Sequence, residues 1–295
     1  MDIKKTPLWA ESWNVAFRFA KSGDILSAPG KTFHIIPNTY RYWAADPLLF
    51  EFNNQTYIFA ELYDYVRTRG IIGVSIFNGE TFGEWKPVVI EDYHLSYPYV
   101  FSHDNGIYMI PETSKNHELS LYKATNFPFK WEKIKSIVQN VDWVDTTIIK
   151  KRNSIIGWTE DNITHQNYLL RFDSQLNLLK KEPFSSLKQN CSRCGGQPWS
   201  EHDSIVLVTQ DCTEDYGKSL FFNFLDSNTL EIQYIKKLDP TRLTFDRPFY
   251  LDGVHTYSSS EKFEVIDLKT KRFSLLNFIF RVRNKAICVF KKFKK

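Results

Sequence analysis

The sequence predicts an all-β fold, a five-bladed β-propeller closed by an N-terminal strand, and three observations predict it. A pattern of short strand-like runs returns five times, about every 50 residues. Within each repeat, runs rich in Val, Ile, Tyr and Phe alternate with turn residues. The last repeat lacks one strand, which the N-terminus can supply. A fixed period of this size indicates one structural unit used repeatedly, and four-stranded sheets arranged radially leave only short, protected edges.

Each repeat opens at a marked residue and closes on an acidic residue 15 positions later. Successive openings are 51, 48, 51 and 50 residues apart. The openings are Asp46, Tyr97, Asp145, Gly196 and Asp246, and the closures are Glu61, Glu112, Glu160, Asp211 and Glu261. A β-sandwich, the competing fold, has turns every 8 to 12 residues or so but no longer period of this kind.

The first repeat shows four runs with strand character, at residues 46–52, 56–60, 70–77 and 85–90. The fifth repeat offers only three, at residues 247–251, 255–258 and 263–266. The segment Trp13–Phe19 alternates apolar and polar residues as a strand does, so it is predicted to complete the fifth blade. Residues 1–273 are therefore predicted to form one propeller domain.

Residues 274–295 are predicted to form a separate, basic amphipathic helix. Their apolar residues recur at helical spacing and fall on one face, namely Leu275, Ile279, Val282, Ala286, Phe290 and Phe293. This stretch is too interrupted by charge to span a bilayer, but it suits an anionic membrane surface. The alternative is a helix packed on the propeller or on a partner.

Charge is divided unevenly along the chain. Residues 268–295 contain ten Lys or Arg and no acid, so the rest of the chain has 28 basic against 34 acidic residues. An acidic body with a basic end does not resemble a nucleic-acid groove spread over a domain surface. No nucleic-acid partner is predicted.

The cysteines and the N-terminus predict a reducing, cytoplasmic location. The basic tail adds a peripheral position at the inner face of the membrane. The first residues lack the apolar core of a secretory signal, and four cysteines are consistent with a reduced chain. Cys191 and Cys194, with His202 and Cys212 downstream, could be read as a zinc site or a redox pair. A single CxxC without a second correctly spaced pair is weak, so neither a metal nor a cofactor is predicted.

Candidate functional residues follow from the geometry of a blade. Its first two strands are antiparallel, so the opening and the closure of each repeat should meet on one rim near the central channel. Carboxylates crowded in a concavity raise one another's pKa, and a pair of carboxylates is what the chemistry of glycosidic bonds uses.

Aromatic neighbours single out Asp46, Glu112 and Asp145 as candidate catalytic residues, because sugars stack on aromatic rings and use polar groups for their hydroxyls. The candidate substrate-binding residues are Trp43, Glu61, His94, Tyr97, Glu160, Arg193, Gln210, Asp211, Arg247 and His255. The alternative for any one of the acids is a solvated strand end or a bond to a turn amide.

Several ordered motifs carry a resemblance to a known family. They include Trp43-Ala-Ala-Asp46-Pro47, Tyr57-Ile-Phe-Ala-Glu61, His94-Leu-Ser-Tyr-Pro98, Tyr108-Met-Ile-Pro-Glu112-Thr113 and Asp145-Thr-Thr, continued by Ser192-Arg193, Gln210-Asp211, Tyr216-Gly217 and His255-Thr256. Together they resemble the N-terminal domain of plant glucosamine inositolphosphorylceramide transferases. Bacterial relatives of that domain occur in gene sets for surface polysaccharides.

That domain is in turn similar to the five-bladed furanosidase-type propellers of glycoside hydrolase families 43, 32 and 68. The similarity implies that Asp46 is the base or nucleophile, Glu112 the proton donor and Asp145 an orienting or pKa-setting carboxylate. In those hydrolases the acid is usually placed later along the chain than the second blade. In the plant proteins the recognised glycosyltransferase domain is a separate one.

Three functions are therefore open at the level of sequence. The first is a glycosyltransferase acting on a lipid-linked or growing surface polysaccharide, with a nucleotide sugar or another activated sugar as donor. The second is a furanosidase-type glycoside hydrolase. The third is a non-catalytic propeller that binds glycan or acts as a scaffold. The expected partners are a glycan or glycolipid and, through residues 274–295, an anionic membrane surface.

Overall fold

A computed structural model describes residues 9–151, 154–187 and 190–273 and, in the tail, residues 275, 278, 279, 282 and 283. The strands are β1 (Trp9–Phe19), β2 (His34–Ile36), β3 (Tyr42–Phe52), β4 (Gln55–Asp64), β5 (Arg69–Ile76), β6 (Lys86–Val89), β7 (Ser96–His103), β8 (Gly106–Glu112), β9 (Glu118–Asn126), β10 (Lys130–Gln139), β11 (Trp143–Lys151), β12 (Ser154–Asp161), β13 (Asn167–Phe172), β14 (Leu178–Pro183), β15 (Trp199–Glu201), β16 (Ser204–Asp211), β17 (Ser219–Asp226), β18 (Ile232–Lys237), β19 (Tyr257–Ser259) and β20 (Phe263–Phe273). Within residues 9–273, as far as the structure describes them, one short helix, α1 (Asp24–Ser27), and two 3₁₀ turns (Ser114–Asn116 and Pro240–Arg242) accompany the strands.

These strands form five antiparallel four-stranded sheets, arranged as the predicted five-bladed propeller. Blades 1 to 4 take their strands in chain order, as β3–β6, β7–β10, β11–β14 and β15–β18. In blades 1 to 3 the first strand is largely buried, whereas the fourth strand of blades 2 to 4 is largely exposed. The first strands therefore line the central axis.

Both faces of a blade are buried, as β4 of blade 1 illustrates. Phe59 packs in one cluster with Met109 of blade 2, and Leu62 packs in another with Val15 of the N-terminal strand. Because successive side chains of a strand point to opposite faces, odd-numbered residues of β4, among them Glu61, face blade 2. This alternation decides which acids reach the channel.

The marked openings coincide with a bulge in the innermost strand of blades 1 to 3. Strand pairing shifts register between Ala45 and Leu48, between Ser96 and Tyr99, and between Val144 and Thr147. The residue in each bulge has a left-handed backbone, with φ of 51° at Asp46, 43° at Tyr97 and 47° at Asp145. A bulge of this kind bends the strand and re-aims a side chain.

The predicted 15-residue offset corresponds to direct cross-strand pairing. Ala45 pairs with Glu61, Ser96 with Glu112 and Val144 with Glu160, so each closure lies opposite the residue that precedes an opening. In blade 4 the opening is Gly196, with φ of 148°. A Cβ there would lie 1.7 Å from the carbonyl oxygen of Tyr257, so this position requires glycine.

The fifth blade is closed by the N-terminus, but its predicted internal order was wrong. Its strands run β19, β20, β1 and β2, so the N-terminus supplies the third and the fourth strand. Residues 246–251 form no strand. Asp246 instead accepts a hydrogen bond from the backbone N–H of Ile35, which lies in β2. Asp246 and Glu261 are therefore not an opening and a closure, because the innermost strand begins only at Tyr257.

A buried ion pair fixes the N-terminal strand. Arg18 and Glu264 face each other across β1 and β20, with exposed side-chain fractions of 1% and 0% and a closest N···O distance of 2.6 Å. Arg18 also donates to the carbonyl oxygens of Ala28 and Lys31, and Glu264 accepts from the backbone of Ile25. These contacts satisfy both charges and tie the loop after β1 to the sheet.

The described tail residues are all helical. Leu275, Ile279 and Val282 are exposed by 56%, 49% and 52%. Arg283 donates to the carbonyl oxygen of Val66, in the turn between β4 and β5. The predicted positions Ala286, Phe290 and Phe293 lie outside the described residues. Across the described part of the chain, no helix combines the length and the apolar character needed to cross a bilayer.

Candidate functional site

A cavity of about 470 Å³ opens at the rim where the closures lie. Its walls come from blades 1 to 4, and they combine acids, cations and one aromatic ring. The lining includes Asp46, Glu61, Arg69, His94, Glu112, Ser114, Lys115, Arg193 and Tyr216. Five of the predicted site residues, Asp46, Glu61, His94, Glu112 and Arg193, are thus brought into one concavity.

Asp46 is held by hydrogen bonds and by a chain of titratable groups behind it. Its carboxylate accepts from the Tyr97 backbone N–H and the Thr256 hydroxyl, and its Oδ1 lies 3.6 Å from His255 Nε2. Burial raises the pKa of Asp46 to about 6, the His255 charge opposes this, and Asp145 and Asp267 add to it. Asp46 is therefore ionised at neutral pH.

His255 connects Asp46 to a second, fully buried carboxylate. Its Nδ1 lies 2.5 Å from Asp267 Oδ2, and its ring stacks on Trp13 with centroids 3.9 Å apart. Asp267 also accepts from the backbone N–H groups of Asp46, His255 and Thr256. Burial lowers the pKa of His255, but the two carboxylates outweigh this effect and the net shift is upward. The imidazole is thus oriented toward Asp46.

Glu61 and His94 form a second pair on the blade 1 wall. The Gly70 backbone N–H donates to His94 Nδ1, so the proton of the neutral ring lies on Nε2, 3.5 Å from Glu61 Oε1. Burial lowers the pKa of His94 to about 4. Burial also raises the pKa of Glu61 well above its usual value, and the charges of Asp46 and Glu112 add to this. His94 is therefore neutral near pH 7, and burial favours the protonated form of Glu61.

Arg193 bridges the other two predicted catalytic acids. Its Nε lies 2.6 Å from Asp145 Oδ2 and its Nη2 lies 3.1 Å from Glu112 Oε2. Gln210 donates to the same oxygen of Asp145, and Ser114 donates to Glu112 Oε1. Burial raises the pKa of Asp145 to about 7, although Arg193 lowers it. Asp145 is 1% exposed and lies beneath Arg193, outside the cavity lining, so it acts on the cavity through Arg193.

Tyr97 and Gly196 bind each other across the channel. The Tyr97 hydroxyl donates to the Gly196 carbonyl and accepts from the Gly196 backbone N–H, each at 2.9 Å. Tyr97 is fully buried. Its predicted role in substrate binding is therefore replaced by a structural one, since its polar atoms are used to join blade 2 to blade 4.

Two predicted binding residues lie near the cavity without lining it. Trp43 stacks on Tyr63 at a centroid distance of 4.9 Å, and this pair is two residues along from Ala45 and Glu61 on the same face of blade 1. Glu160 accepts from the hydroxyl of Ser192 and lies 3.2 Å from His165 Nδ1.

Two other predicted binding residues are not brought to the cavity. Asp211 pairs with Lys237 at 2.6 Å, because it follows Gln210 in β16 and successive side chains point to opposite faces. Arg247 lies at the outer edge of blade 5, where it binds the carbonyl oxygen of Ile35 and contacts Asp246. The error at Arg247 has the same cause as the misplaced fifth opening.

Sequence reasoning did not select four residues that complete the site. They are Asp267, Thr256, Tyr216 and Lys115. Asp267 lies in β20, the second strand of blade 5 and so the counterpart of the strands that carry Glu61, Glu112 and Glu160. Tyr216 forms an aromatic wall, 38% exposed, with its ring 5.4 Å from the Arg193 guanidinium. No signal in the sequence separates Lys115 from other surface lysines.

A cation could be held only at the expense of existing hydrogen bonds. The ligand atoms of Asp46, His255 and Asp267 lie within 4.8 Å of one another, but four backbone N–H groups and a hydroxyl already donate to the two carboxylates of this group. The residues therefore fit a proton network better than a metal. Cys194 and Cys212 carry free thiols, and burial raises the pKa of the Cys194 thiol, which disfavours redox chemistry there.

Fold and cavity together define a class, the five-bladed β-propellers with an acid-rich central cavity. The chain is similar to the catalytic domain of the GH62 α-L-arabinofuranosidase of Coprinopsis cinerea, with a TM-score of 0.57, 10% identity and coverage of 88% of this chain and 99% of that chain. It is also similar to β-1,2-mannobiose phosphorylase from Listeria innocua, with a TM-score of 0.58, 10% identity and coverage of 86% and 96%. At such identities the similarity shows the fold alone.

The chain belongs to the family described as glucosamine inositolphosphorylceramide transferase 1, N-terminal, which matches residues 37–237. The protein of that name from Arabidopsis thaliana is 32% identical over 194 residues, covering 60% of this chain and 24% of the relative. The one from Oryza sativa subsp. indica is 28% identical over 204 residues, covering 64% and 27%. The chain thus spans about a quarter of the length of these curated relatives. The resemblance seen in the motifs is confirmed.

Proposed function

We propose that this chain is a carbohydrate-active enzyme that transfers a sugar to a hydroxyl of a lipid-linked or growing surface glycan. The observation that carries the proposal is the single cavity that holds the ionised Asp46 together with Glu61 and Glu112. Membership of a family named for a sugar and a lipid supports it. Its fold, found also in a glycosidase and a glycoside phosphorylase, is compatible with it.

In the proposed reaction Asp46 is the base that removes the proton of the acceptor hydroxyl. Thr256 and the Tyr97 backbone fix its two oxygens, and His255, which Asp267 orients, stabilises its charge. A positioned base contributes about 10²–10⁴-fold to such a step. Arg193, oriented by Asp145, is placed to bind sugar hydroxyls at the cavity wall.

Incubating the protein with candidate donors, with and without glycan acceptors, tests the proposal. Nucleotide sugars and aryl glycosides serve as donors. Product that depends on an acceptor supports transfer, and Asp46→Asn should reduce the rate of its formation about 10²–10⁴-fold. If Asp46→Asn and Glu112→Gln both retained full turnover on the true substrate, the cavity would not be the active site.

Hydrolysis is the second candidate, and the fold similarity to an α-L-arabinofuranosidase favours it. Release of sugar from aryl glycosides to water, with no effect of added acceptor, would select hydrolysis over transfer.

A non-catalytic glycan-binding propeller is the third candidate. It is favoured by the small share of the relatives' length that this chain spans. Under it, substitutions of the cavity acids would weaken glycan binding measured by calorimetry, and no donor would be consumed.

We further propose a cytoplasmic location at the inner face of a membrane, with residues 274–295 on anionic lipid. Leu275, Ile279 and Val282 present three neighbouring apolar side chains to solvent, and the surrounding sequence is basic. Arg283 contacts Val66, two residues before Thr68 and three before Arg69, which both line the cavity. A lipid-linked acceptor would then meet the cavity at the bilayer surface.

Flotation with liposomes containing phosphatidylserine tests this placement. We expect the full chain to float and Ile279→Glu to lose most of its binding. Leu179→Glu, at an apolar residue 67% exposed on the outer strand of blade 3, is the matched control. Equal flotation of both variants and the wild type would exclude the tail as the membrane contact.

A further inference from the structure

We propose that Glu61, and not Glu112, is the acid of this cavity, and that the bond it helps to break joins a sugar to an alcohol oxygen. The inference rests on the proposed function, because it names the proton donor and the donor class for that reaction. It departs from the role that the family resemblance implies for Glu112.

The two glutamates differ in their hydrogen-bond partners. Both oxygens of Glu112 accept hydrogen bonds, from the Ser114 hydroxyl and from the Arg193 guanidinium. Glu61 is 6% exposed, and its Oε1 has no hydrogen-bond partner among the described residues. A buried carboxyl that accepts no hydrogen bond at Oε1, where His94 Nε2 lies 3.5 Å away, is more stable with a proton than without one. Burial accordingly raises the pKa of Glu61.

His94 and Gly70 set the orientation of the Glu61 carboxyl. His94 Nε2 lies 3.5 Å from Oε1, on the blade 2 side. Gly70 makes room for this arrangement, because a Cβ there would lie 2.4 Å from Glu61 Oε1 and 2.8 Å from the His94 ring. With Oε1 facing the imidazole N–H, Oε2 is the oxygen left to carry a proton. Glu61 also pairs across the strands with Ala45, next to Asp46, so acid and base are neighbours.

The bonds and protons of the proposed reaction balance with Glu61 as the acid and Asp46 as the base. The bond between the anomeric carbon and the leaving oxygen breaks, and its electron pair stays on that oxygen, which takes the proton of Glu61. A bond forms between the anomeric carbon and the acceptor hydroxyl oxygen, whose proton goes to Asp46. The carboxyl proton therefore moves to the leaving alcohol, and solvent exchange returns Glu61 and Asp46 to their starting states.

The need for this proton indicates the class of donor. An alkoxide is a poor leaving group and needs protonation, whereas the phosphate released from a nucleotide sugar does not. Of the three Lys and Arg residues that line the cavity, Arg193 already pairs with Glu112 and Asp145, and Arg69 with Asp92, which leaves Lys115 for a phosphate. A diphosphate would lie among carboxylates with few cations available. A glycoside with an alcohol leaving group fits this cavity better.

Infrared difference spectroscopy tests the protonation without any substrate. We expect the full-length protein at neutral pH to show a protonated-carboxyl carbonyl band that is reduced in Glu61→Gln and retained in the matched control Glu112→Gln. An unchanged band in Glu61→Gln would overturn the inference, whatever turnover is found.

Turnover then tests the catalytic role. With an alkyl glycoside as donor, Glu61→Gln should lose at least about 100-fold in rate, and with the 2,4-dinitrophenyl glycoside of the same sugar it should lose less than tenfold. Equal losses on both donors, or turnover of nucleotide sugars only, would overturn the assignment. A protonated Glu61 with no turnover of any donor would remove the acid role and the proposed function together, whereas ionised Glu61 with turnover would remove the acid role alone.

Discussion

At the residue scale, neighbours set the chemistry of each acid in the cavity. Asp46, Glu61 and Asp145 are all buried, and burial is the largest upward effect on each pKa. They differ in what donates to them, because Asp46 receives two hydrogen bonds and Asp145 a guanidinium, whereas Glu61 faces one imidazole at 3.5 Å. Acids of similar chemistry therefore take separate roles.

The raised pKa of Asp46 predicts an acid limit for turnover. A base must be ionised, so the rate should fall about tenfold per pH unit below a pH of about 6 and stay level above it until Glu61 loses its proton. Asp46→Asn should reduce the rate about 10²–10⁴-fold. Steady-state rates over a pH series measure both, and Asp203→Asn, in an exposed turn at the opposite end of blade 4, is the control. A flat profile below pH 6 would exclude Asp46 as the base.

Gly196 predicts a local stability effect. Gly196→Ala would place a Cβ 1.7 Å from the Tyr257 carbonyl oxygen at a φ of 148°, so we expect a loss of about 2–4 kcal/mol in the free energy of unfolding. Gly30→Ala meets nothing within 4 Å and should change it by less than about 0.5 kcal/mol. Urea denaturation of both variants measures the difference. Similar values would mean that blades 4 and 5 do not approach as closely as described.

At the scale of elements, the N-terminal strand is the part on which the ring depends. β1 pairs with β20 along its whole length and with β2 on its other side. Without it, β19 and β20 would be an isolated hairpin, which is marginally stable in water. The ends of the chain are thus joined by hydrogen bonds and by the Arg18–Glu264 pair.

The Arg18–Glu264 pair predicts that one substitution greatly lowers the free energy of unfolding and that a second substitution restores part of it. Arg18→Met should destabilise the protein by about 3–5 kcal/mol, because it leaves the Glu264 charge buried and unpaired. Adding Glu264→Gln should recover part of the loss, since an amide can still accept from Tyr257 and Ile25 without carrying a charge. Thermal and urea unfolding of the single and double variants measure this. A double variant less stable than Arg18→Met would contradict this explanation.

At the scale of the whole molecule, the repeat made the architecture predictable. A 50-residue period and a missing strand were enough for five blades and for closure by the N-terminus, because each blade repeats the same local pattern. The rim was also predictable, since Glu61, Glu112 and Glu160 pair with residues next to the openings. The strand order of blade 5 was not predictable, because its strands come from the first and the last described parts of the chain. Asp246 fell on the 50-residue period by coincidence.

Contacts between distant blades were beyond prediction for the same reason. Asp267 lies 221 positions from Asp46 and Arg193 lies 81 from Glu112, and nothing in the local sequence marks these partners. Periodicity therefore indicates which residues share a rim. It does not indicate which of them pair and so lose their freedom to act on a substrate.

The completeness of the five sheets predicts that the tail is not needed for folding. A chain ending at residue 273 retains every described strand, so its free energy of unfolding should lie within about 1 kcal/mol of the full chain. Urea denaturation measures this, and circular dichroism checks that the sheet content is unchanged. Failure of the shortened chain to fold would show that the tail belongs to the propeller core.

The left-handed residues at the blade openings offer a way to sort relatives. Asp46, Tyr97, Asp145 and Gly196 occupy one equivalent backbone position in four blades, and the bulge rather than the side chain maintains it in blades 1 to 3. Tyr97 and Gly196 bind each other across the channel, so only Asp46 and Asp145 can vary without loss of this contact. Relatives that keep the bulges but replace Asp46 or Asp145 should keep the propeller and differ in chemistry.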